Sequence, residues 1–442
     1  MNLTGKRPTF KKTTQLHPYR IIIWLTLLIF SLFILRGVEQ KTIISPFEPT
    51  PIPTRGAESY AAEGNAHFQA GDLGKAIEAF QKAVEVEPAN PVLWVDLARI
   101  QVYSSALLTT DAQRSQRLAE AMESSRRALE LTTENSYVHA IRAFVLDWSA
   151  GAAKDIETRN QLLTEAEQEI VFALSLDNQN TLALAYYAEI LVDQQNLIQA
   201  ETYINQALER EDKEMDVYRI HGYVRESLGY YGDAIRSYQM AAEIMPNYTY
   251  LYILIGINYR QLKQYERALE YFAKAALINE QLGIKDPAPY LAIGKTYSQM
   301  GEFYIASRNV EKVLEFDPEN PEVYGTLGMI YFRARNYETA IYALRCATVG
   351  CSAEESCLVR NCKEGDAEII IPPTDLTTTT VVYYYTYGSV LAGMHRPNND
   401  YCREAMKVLG QVRNSFSNDA VIMQIVKTSE EICQSFGYSP VN

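Results

Sequence analysis

Six cysteines are the residues in this 442-residue chain most evidently set up for chemistry, and all of them lie after residue 345, at 346, 351, 357, 362, 402 and 433. An even number suits disulfides formed in an oxidising compartment. The first four are spaced C-x4-C-x5-C-x4-C. Four cysteines allow three pairings; the nested one, Cys346–Cys362 around Cys351–Cys357, is the expected arrangement. Structural zinc is its rival, but zinc sites usually show C-x2-C knuckles and there are none here. Other reactive patterns are missing. The five histidines, at 17, 67, 139, 221 and 395, include no pair at metal-ligand spacing. There is no GxSxG, no GxGxxG and no paired catalytic carboxylate motif. Gly294-Lys295-Thr296 ends like a phosphate loop, but such a loop needs glycine where this chain has Pro289. No catalytic residue, metal or cofactor is therefore expected, and the chain reads as a non-enzyme.

Net charge is −13, which argues against a nucleic-acid partner, since that needs a clustered basic face. The charge is unevenly spread. Residues 1–36 hold Lys6, Arg7, Lys11, Lys12, Arg20 and Arg36 and no acidic side chain. These bracket an apolar run, Ile21 to Leu35, flanked by Tyr19 and containing Trp24. Arginines at both ends can snorkel and the aromatics suit an interface, so a short span is reachable. The run is followed by Arg36-Gly37-Val38-Glu39, with no alanine before Ala57, which does not suit a signal cleavage site. Residues 21–37 are expected to be an uncleaved signal anchor in the plasma membrane, with residues 1–20 cytoplasmic and the rest extracytoplasmic. Residues 38–56 follow as a linker; four prolines between Ser45 and Gly56 make it a semi-rigid spacer.

The body repeats every 34 residues. From Met215, Tyr218, Gly222, Ala234, Tyr238, Ala241 and Pro246 fall at positions 4, 8, 20, 24, 27 and 32. From Thr249, Tyr252, Gly256, Tyr259, Ala268, Phe272 and Ala275 repeat the pattern. Residues 57–90, 181–214, 287–320 and 321–350 also match. The pattern resembles the tetratricopeptide repeat, W-x2-L-G-x2-Y…A-x3-F…P. The resemblance implies an all-α fold: an α-solenoid, a right-handed superhelix of helix-turn-helix hairpins, over residues 57–347. Small residues at 8, 20 and 27 let paired helices approach; aromatics at 4, 11 and 24 fill the space between hairpins. That packing accounts for most of the excess of tyrosine, of which the chain has 31. Two repeats, 91–135 and 136–180, are stretched to 45 residues, with the extra residues expected between their helices. Residues 348–382 form an insertion whose β-branched residues and prolines favour a strand or hairpin. Residues 383–442 hold an irregular ninth repeat and a capping helix. Cys402 should open the second helix of that repeat and Cys433 end the cap, so the two are expected to pair.

The resemblance also implies a concave groove lined by the first helices. Its geometry points to Tyr186, Glu189, Arg219, Tyr223, Glu226, Tyr250, Ile253, Ile257, Arg260, Leu291, Lys295 and Phe332. Apolar contact with a few fixed charges suits an extended peptide or an amphipathic helix of a protein partner rather than a small-molecule substrate. Some relatives clamp a C-terminal carboxylate with Lys and Asn; Arg219 and Tyr223 stand at the matching positions, so that clamp is not supported. The expected function is a membrane-anchored, extracytoplasmic scaffold. The alternatives are a cytosol-facing receptor on an organelle membrane, whose cysteines would be reduced, and an accessory subunit of envelope glycan or secretion machinery.

Overall fold

The computed structural model describes residues 18–39, 55–108, 110–153, 155–210 and 214–439. Most of the basic N-terminus and of the proline-rich linker lies outside these residues. Two units are described separately, divided between Arg55 and Gly56.

The first unit contributes α1 (Pro18–Glu39). Pro18 sits at its start, where a missing N–H costs nothing. Arg36 lies in its last turn, favourably placed for the helix dipole. Its 22 residues rise about 33 Å. The stretch Pro18–Gly37 is long and apolar enough to cross a membrane.

The second unit is a run of antiparallel helix pairs. The first four are α2 (Ala57–Gln69) with α3 (Leu73–Val86), α4 (Pro91–Ser105) with α5 (Asp111–Leu131), α6 (Ser136–Gly151) with α7 (Ile156–Leu176), and α8 (Thr181–Asp193) with α9 (Leu197–Leu208). Four more follow: α10 (Met215–Ser227) with α11 (Tyr231–Ile244), α12 (Thr249–Gln261) with α13 (Tyr265–Leu282), α14 (Ala288–Met300) with α15 (Phe303–Phe316), and α16 (Pro321–Arg333) with α17 (Tyr337–Thr348). A short α18 (Ala353–Arg360) precedes the last pair, α19 (Val381–Met394) and α20 (Tyr401–Ser415), on which α21 (Ala420–Ser435) packs. Each pair packs chiefly on the next, as a solenoid requires.

Local chemistry sets these boundaries. Asn90, Asn135, Asn180 and Asn320 cap α4, α6, α8 and α16, each accepting from a backbone N–H of the first turn. Pro91 and Pro321 then occupy the first helical position. Pairing within hairpins depends on position 8. A Cβ added at Gly64, Gly222, Gly256 or Gly328 would come within 2.3–2.6 Å of Phe80, Tyr238, Phe272 or Leu344 respectively. Each of those contacts lies sixteen residues along the chain, so one spacing rule builds four hairpins. Position 4 does more than fill space. Tyr252 and Tyr324 donate their hydroxyls to the carbonyls of Pro246 and Pro318, at 2.8 and 2.9 Å, and Trp94 donates Nε1 to the Pro88 carbonyl at 2.9 Å. The aromatic of one repeat thus ties down the turn that ends the previous one.

Two expectations need correction. The extra residues of the stretched repeats do not form loops. They lengthen α5 and α7 to 21 residues each, against 14 in α3. A helix satisfies the added backbone groups internally, which a loop over the same ground would not. Nor are the four clustered cysteines nested: Cys346 pairs with Cys351, and Cys357 with Cys362. The reason is local turning. Gly350, at φ +80°, bends the chain straight after α17, and Asn361 ends α18 in the left-handed region, so that the Cys362 N–H donates to the Cys357 carbonyl at 3.2 Å. Cys402 pairs with Cys433. The insertion is less extended than expected. It holds α18, and its one bridge joins Cys351 to Ile371.

The solenoid closes on itself. The Asn247 amide donates to the Ala70 carbonyl at 2.9 Å, and the Tyr248 hydroxyl to the Tyr103 carbonyl at 3.2 Å. Arg99 of α4 pairs with Asp216 of α10. The first two hairpins therefore lie against the fifth and sixth.

Gly256→Leu should be destabilising, since its side chain would be driven into the buried Phe272 ring. Overpacking of this kind costs about 1–3 kcal/mol. A urea midpoint equal to that of the parent chain would show that the hairpin can open without loss.

Candidate functional site

Closure of the solenoid forms a half-open cavity of about 900 Å³. Its walls come from α6, α8, α10 and α12, from the α4–α5 turn, from the start of α16 and from Pro373–Thr380 of the insertion. The insertion reaches the rim because Thr374 is held to the end of α17, its N–H and hydroxyl both donating to the Ala347 carbonyl at 2.9 and 3.0 Å. Thr377 and Thr380 then form a hydroxyl-capped turn that leads into α19.

One side of the cavity is dominated by Arg219. It is 3% exposed, and its guanidinium makes a two-pronged contact with Glu189, at 2.7 and 2.6 Å. The Trp148 indole also donates to Glu189, at 3.2 Å. The cation lies over the rings of Tyr103, Phe144 and Trp148, at 5.5–5.7 Å. Such a fork is the strong geometry for a guanidinium–carboxylate pair, and ring faces favour a desolvated cation. Arg219 is thus already occupied within the chain. Its terminal nitrogens are committed to Glu189, where the sequence suggested a residue that orients a ligand, while its buried Nε has no acceptor.

The other side is rich in carboxyls. Tyr223 donates to Asp193 at 2.9 Å. Glu226 accepts from the Tyr238 hydroxyl and the Asn258 amide, both at 2.9 Å. Asp147 is 2% exposed, and its Oδ1 has no hydrogen-bond partner. Burial first, then the nearby Asp193 and Glu189 carboxylates, push Asp147 well above the usual carboxylate range. Burial also raises Asp193. No short motif in the sequence pairs these two aspartates; the fold brings them together from α6 and α8.

Five of the twelve expected groove residues line this cavity: Glu189, Arg219, Tyr223, Glu226 and Tyr250. Tyr186 is fully buried and gives its hydroxyl to Asp216 at 2.6 Å. Ile253 is buried and Ile257 half-buried in the main core. Arg260 lies over Phe272 and donates to the Ala292 carbonyl at 3.4 Å. Leu291 packs against the next core cluster, Phe332 against Tyr337, and Lys295 is exposed. The remaining expected residues lie outside the cavity, because its first-helix walls come mainly from α6, α8, α10 and α12. Asp147, Trp148 and Asp193 were missed. They stand at positions 12, 13 and 13 of repeats 136–180 and 181–214, on the same first-helix stretch as the expected groove residues; only the first repeat is stretched, so the register of Asp193 was readable from the sequence.

Comparison with known proteins supports the reading of the repeats. Family models described as "Tetratricopeptide repeat" match residues 57–90, 249–282, 288–320 and 310–342. The chain carries tetratricopeptide repeats. Among curated proteins, the BBSome complex member BBS4 of Bos taurus is 29% identical over 113 residues, covering 26% of this chain and 21% of that protein. Anaphase-promoting complex subunit 3 of Schizosaccharomyces pombe is 24% identical over 111 residues, covering 25% and 16%. The chain thus spans about a fifth of the length of these relatives. Among solved structures, the human IFIT1 dimer with PPP-AAAA aligns over 86% of this chain and 83% of its own, with a TM-score of 0.54 and 15% identity. A tetratricopeptide repeat protein from Parabacteroides merdae aligns over 62% of this chain and 98% of its own, at a TM-score of 0.37 and 20% identity.

Removing one member of a buried ion pair strands the other. Arg219→Met should therefore cost about 3–5 kcal/mol, and the double variant Arg219→Met/Glu189→Leu should recover most of it. Equal losses in the single and double variants, read by chemical denaturation, would show that the pair is not coupled. Asp147 makes a pH prediction. A carboxyl whose pKa is raised by folding favours the fold at acid pH, and that contribution is lost as pH rises through the folded value. Asp147→Asn should therefore gain stability over the parent from about pH 4 towards neutrality and beyond, starting near the ordinary aspartate pKa. A stability difference that stays flat between pH 4 and 8 would contradict the assignment.

Proposed function

We propose that the protein is a membrane-anchored scaffold that binds a protein partner within the cavity and carries out no reaction of its own. The observation that carries this reading is the half-open concave space, walled largely by successive first helices and rimmed by the insertion. Repeat hairpins make such surfaces, and function then lies in what the surface receives. Both curated relatives are named as members of multi-protein complexes, which favours a protein partner over a substrate.

The reading extends to location. Helix α1 is suited to crossing a bilayer, and the basic side chains before it favour a cytoplasmic N-terminus. Six cysteines that fit three disulfides favour an oxidising, extracytoplasmic setting for the solenoid. The human IFIT1 structure contains PPP-AAAA, an anionic ligand. The carboxylate-rich walls of this cavity disfavour an anion, so that ligand class is not carried over.

Crosslinking in intact cells tests both parts. A membrane-impermeant crosslinker should capture a defined protein on the native chain, and Leu254→Arg, which places bulk and charge on the cavity wall, should abolish capture. Capture only by a permeant reagent would favour the cytosol-facing receptor. Capture that survives Leu254→Arg would move the binding surface away from the cavity.

A further inference from the structure

We propose that this cavity recognises a cationic group, a lysine ammonium or arginine guanidinium, presented by an extended segment of the partner. The inference rests on the partner-binding reading above and specifies the chemistry of that site.

Charge balance is the first support. Seven acidic side chains line the cavity against two arginines. Both arginines have a carboxylate partner: Arg219 pairs with Glu189 through its terminal nitrogens, its Nε finding no acceptor, and Arg114 pairs with Asp111 at 2.8 Å. On the remaining wall, Asp193 and Glu226 have mainly neutral partners, and Asp147 shares a side-chain hydrogen bond with the Asp193 carboxyl. The nearest cation to Asp193 is Arg159, at 3.9 Å.

Asp147 is the second and independent support. Asp147 lines the cavity, and its buried Oδ1 has no hydrogen-bond partner, which is a costly arrangement. Buried polar atoms are rarely left this way unless something supplies the missing bond. A cationic head seated beside Asp147 would donate to that oxygen and offset the repulsion between Asp147 and Asp193. With the cavity empty, burial favours a proton on this carboxyl pair; an incoming cation would take its place.

The surrounding rings fit the same ligand. Trp148 and Tyr250 meet at 6.3 Å between ring centroids, with their planes 60° apart, on the cavity wall. Ring faces attract ammonium and guanidinium groups once water is excluded. The chain itself uses this chemistry a few ångströms away, where Arg219 lies among three rings and a carboxylate. The volume, about 900 Å³, is within the range of specific ligand cavities and leaves room for a side chain with the backbone that carries it.

Fluorescence polarisation on the detergent-solubilised full chain tests the proposal. The probes are a fluorescein-labelled ten-residue peptide rich in lysine, the same peptide with glutamine at every lysine, and spermidine as competitor. The lysine peptide should bind, and the glutamine peptide should not. Asp147→Asn should weaken binding by roughly thirtyfold or more, the scale of losing one partner of a buried charge contact. It should do so without lowering the melting temperature. Glu85→Gln, an exposed change on α3, should leave affinity unchanged. Spermidine that competes only weakly identifies the peptide as the carrier. Spermidine that binds more tightly than the peptide keeps the cation site but assigns it to a free polyamine, and overturns the peptide source. Equal binding of both peptides, or no effect of Asp147→Asn, overturns the cation site. If the cationic probes fail while the in-cell partner is still lost with Leu254→Arg, the scaffold reading stands and only this inference falls.

Discussion

Asp216 is the residue on which the closed form of the solenoid turns. It is completely buried at the start of α10, yet it holds together helices from three hairpins. Arg99 and Tyr103 of α4 donate to it from more than a hundred residues away, and Tyr186 of α8 donates at 2.6 Å. Burial alone would raise this carboxyl. The Arg99 guanidinium and the two hydroxyls overcome that and hold it below the usual carboxylate range. Such a group is tolerable only if all its partners are present, because a stranded buried charge costs several kcal/mol. An open solenoid would separate Arg99 and Tyr103 from Asp216, leaving the buried carboxylate only the Tyr186 hydroxyl and no cation. Closure is therefore tied to satisfying this cluster, and the cavity follows from closure.

Tyrosine is the common material of that arrangement. Its ring fills the interhelical space that the repeat pattern assigns to an aromatic, and its hydroxyl then reaches a polar group that would otherwise be buried unmatched. Tyr252 and Tyr324 satisfy carbonyls at repeat boundaries. Tyr137, Tyr223, Tyr238 and Tyr387 satisfy the carboxylates of Asp96, Asp193, Glu226 and Glu404. Phenylalanine would pack equally well at these places and leave the acceptors bare. Hydroxyl bonding as well as packing explains the abundance of tyrosine.

The cavity inverts this economy on one wall. Among the described residues every other buried carboxyl is answered by a hydroxyl, a guanidinium or an amide, whereas Asp147 presents an oxygen with no donor. Local rules broken in an otherwise consistent structure tend to mark places where something binds. The insertion adds to the same space. Its stapled turns hold Thr374 to Thr380 at the rim, so the irregular segment is positioned by α17 and the disulfides rather than by repeat packing.

The sequence alone determined the repeats, because their signals are local and periodic. Gly64, Gly222, Gly256 and Gly328 each face a side chain sixteen residues on, and Asn caps with following prolines mark where first helices begin. An apolar helix at the N-terminus was legible for the same reason, since length and composition decide it. Pairing of Cys402 with Cys433 followed from antiparallel neighbours, while the other four cysteines obeyed turns at Gly350 and Asn361 that spacing does not encode. Tertiary structure decided the rest. Whether Arg219 meets a ligand or Glu189 depends on how adjacent repeats stack and on aromatics from α4 and α6 arriving across the concave side. Asp147 becomes an unmatched acid only when α6, α8 and α10 enclose it. These are contacts between residues tens to more than a hundred positions apart, and no periodicity in the chain specifies them.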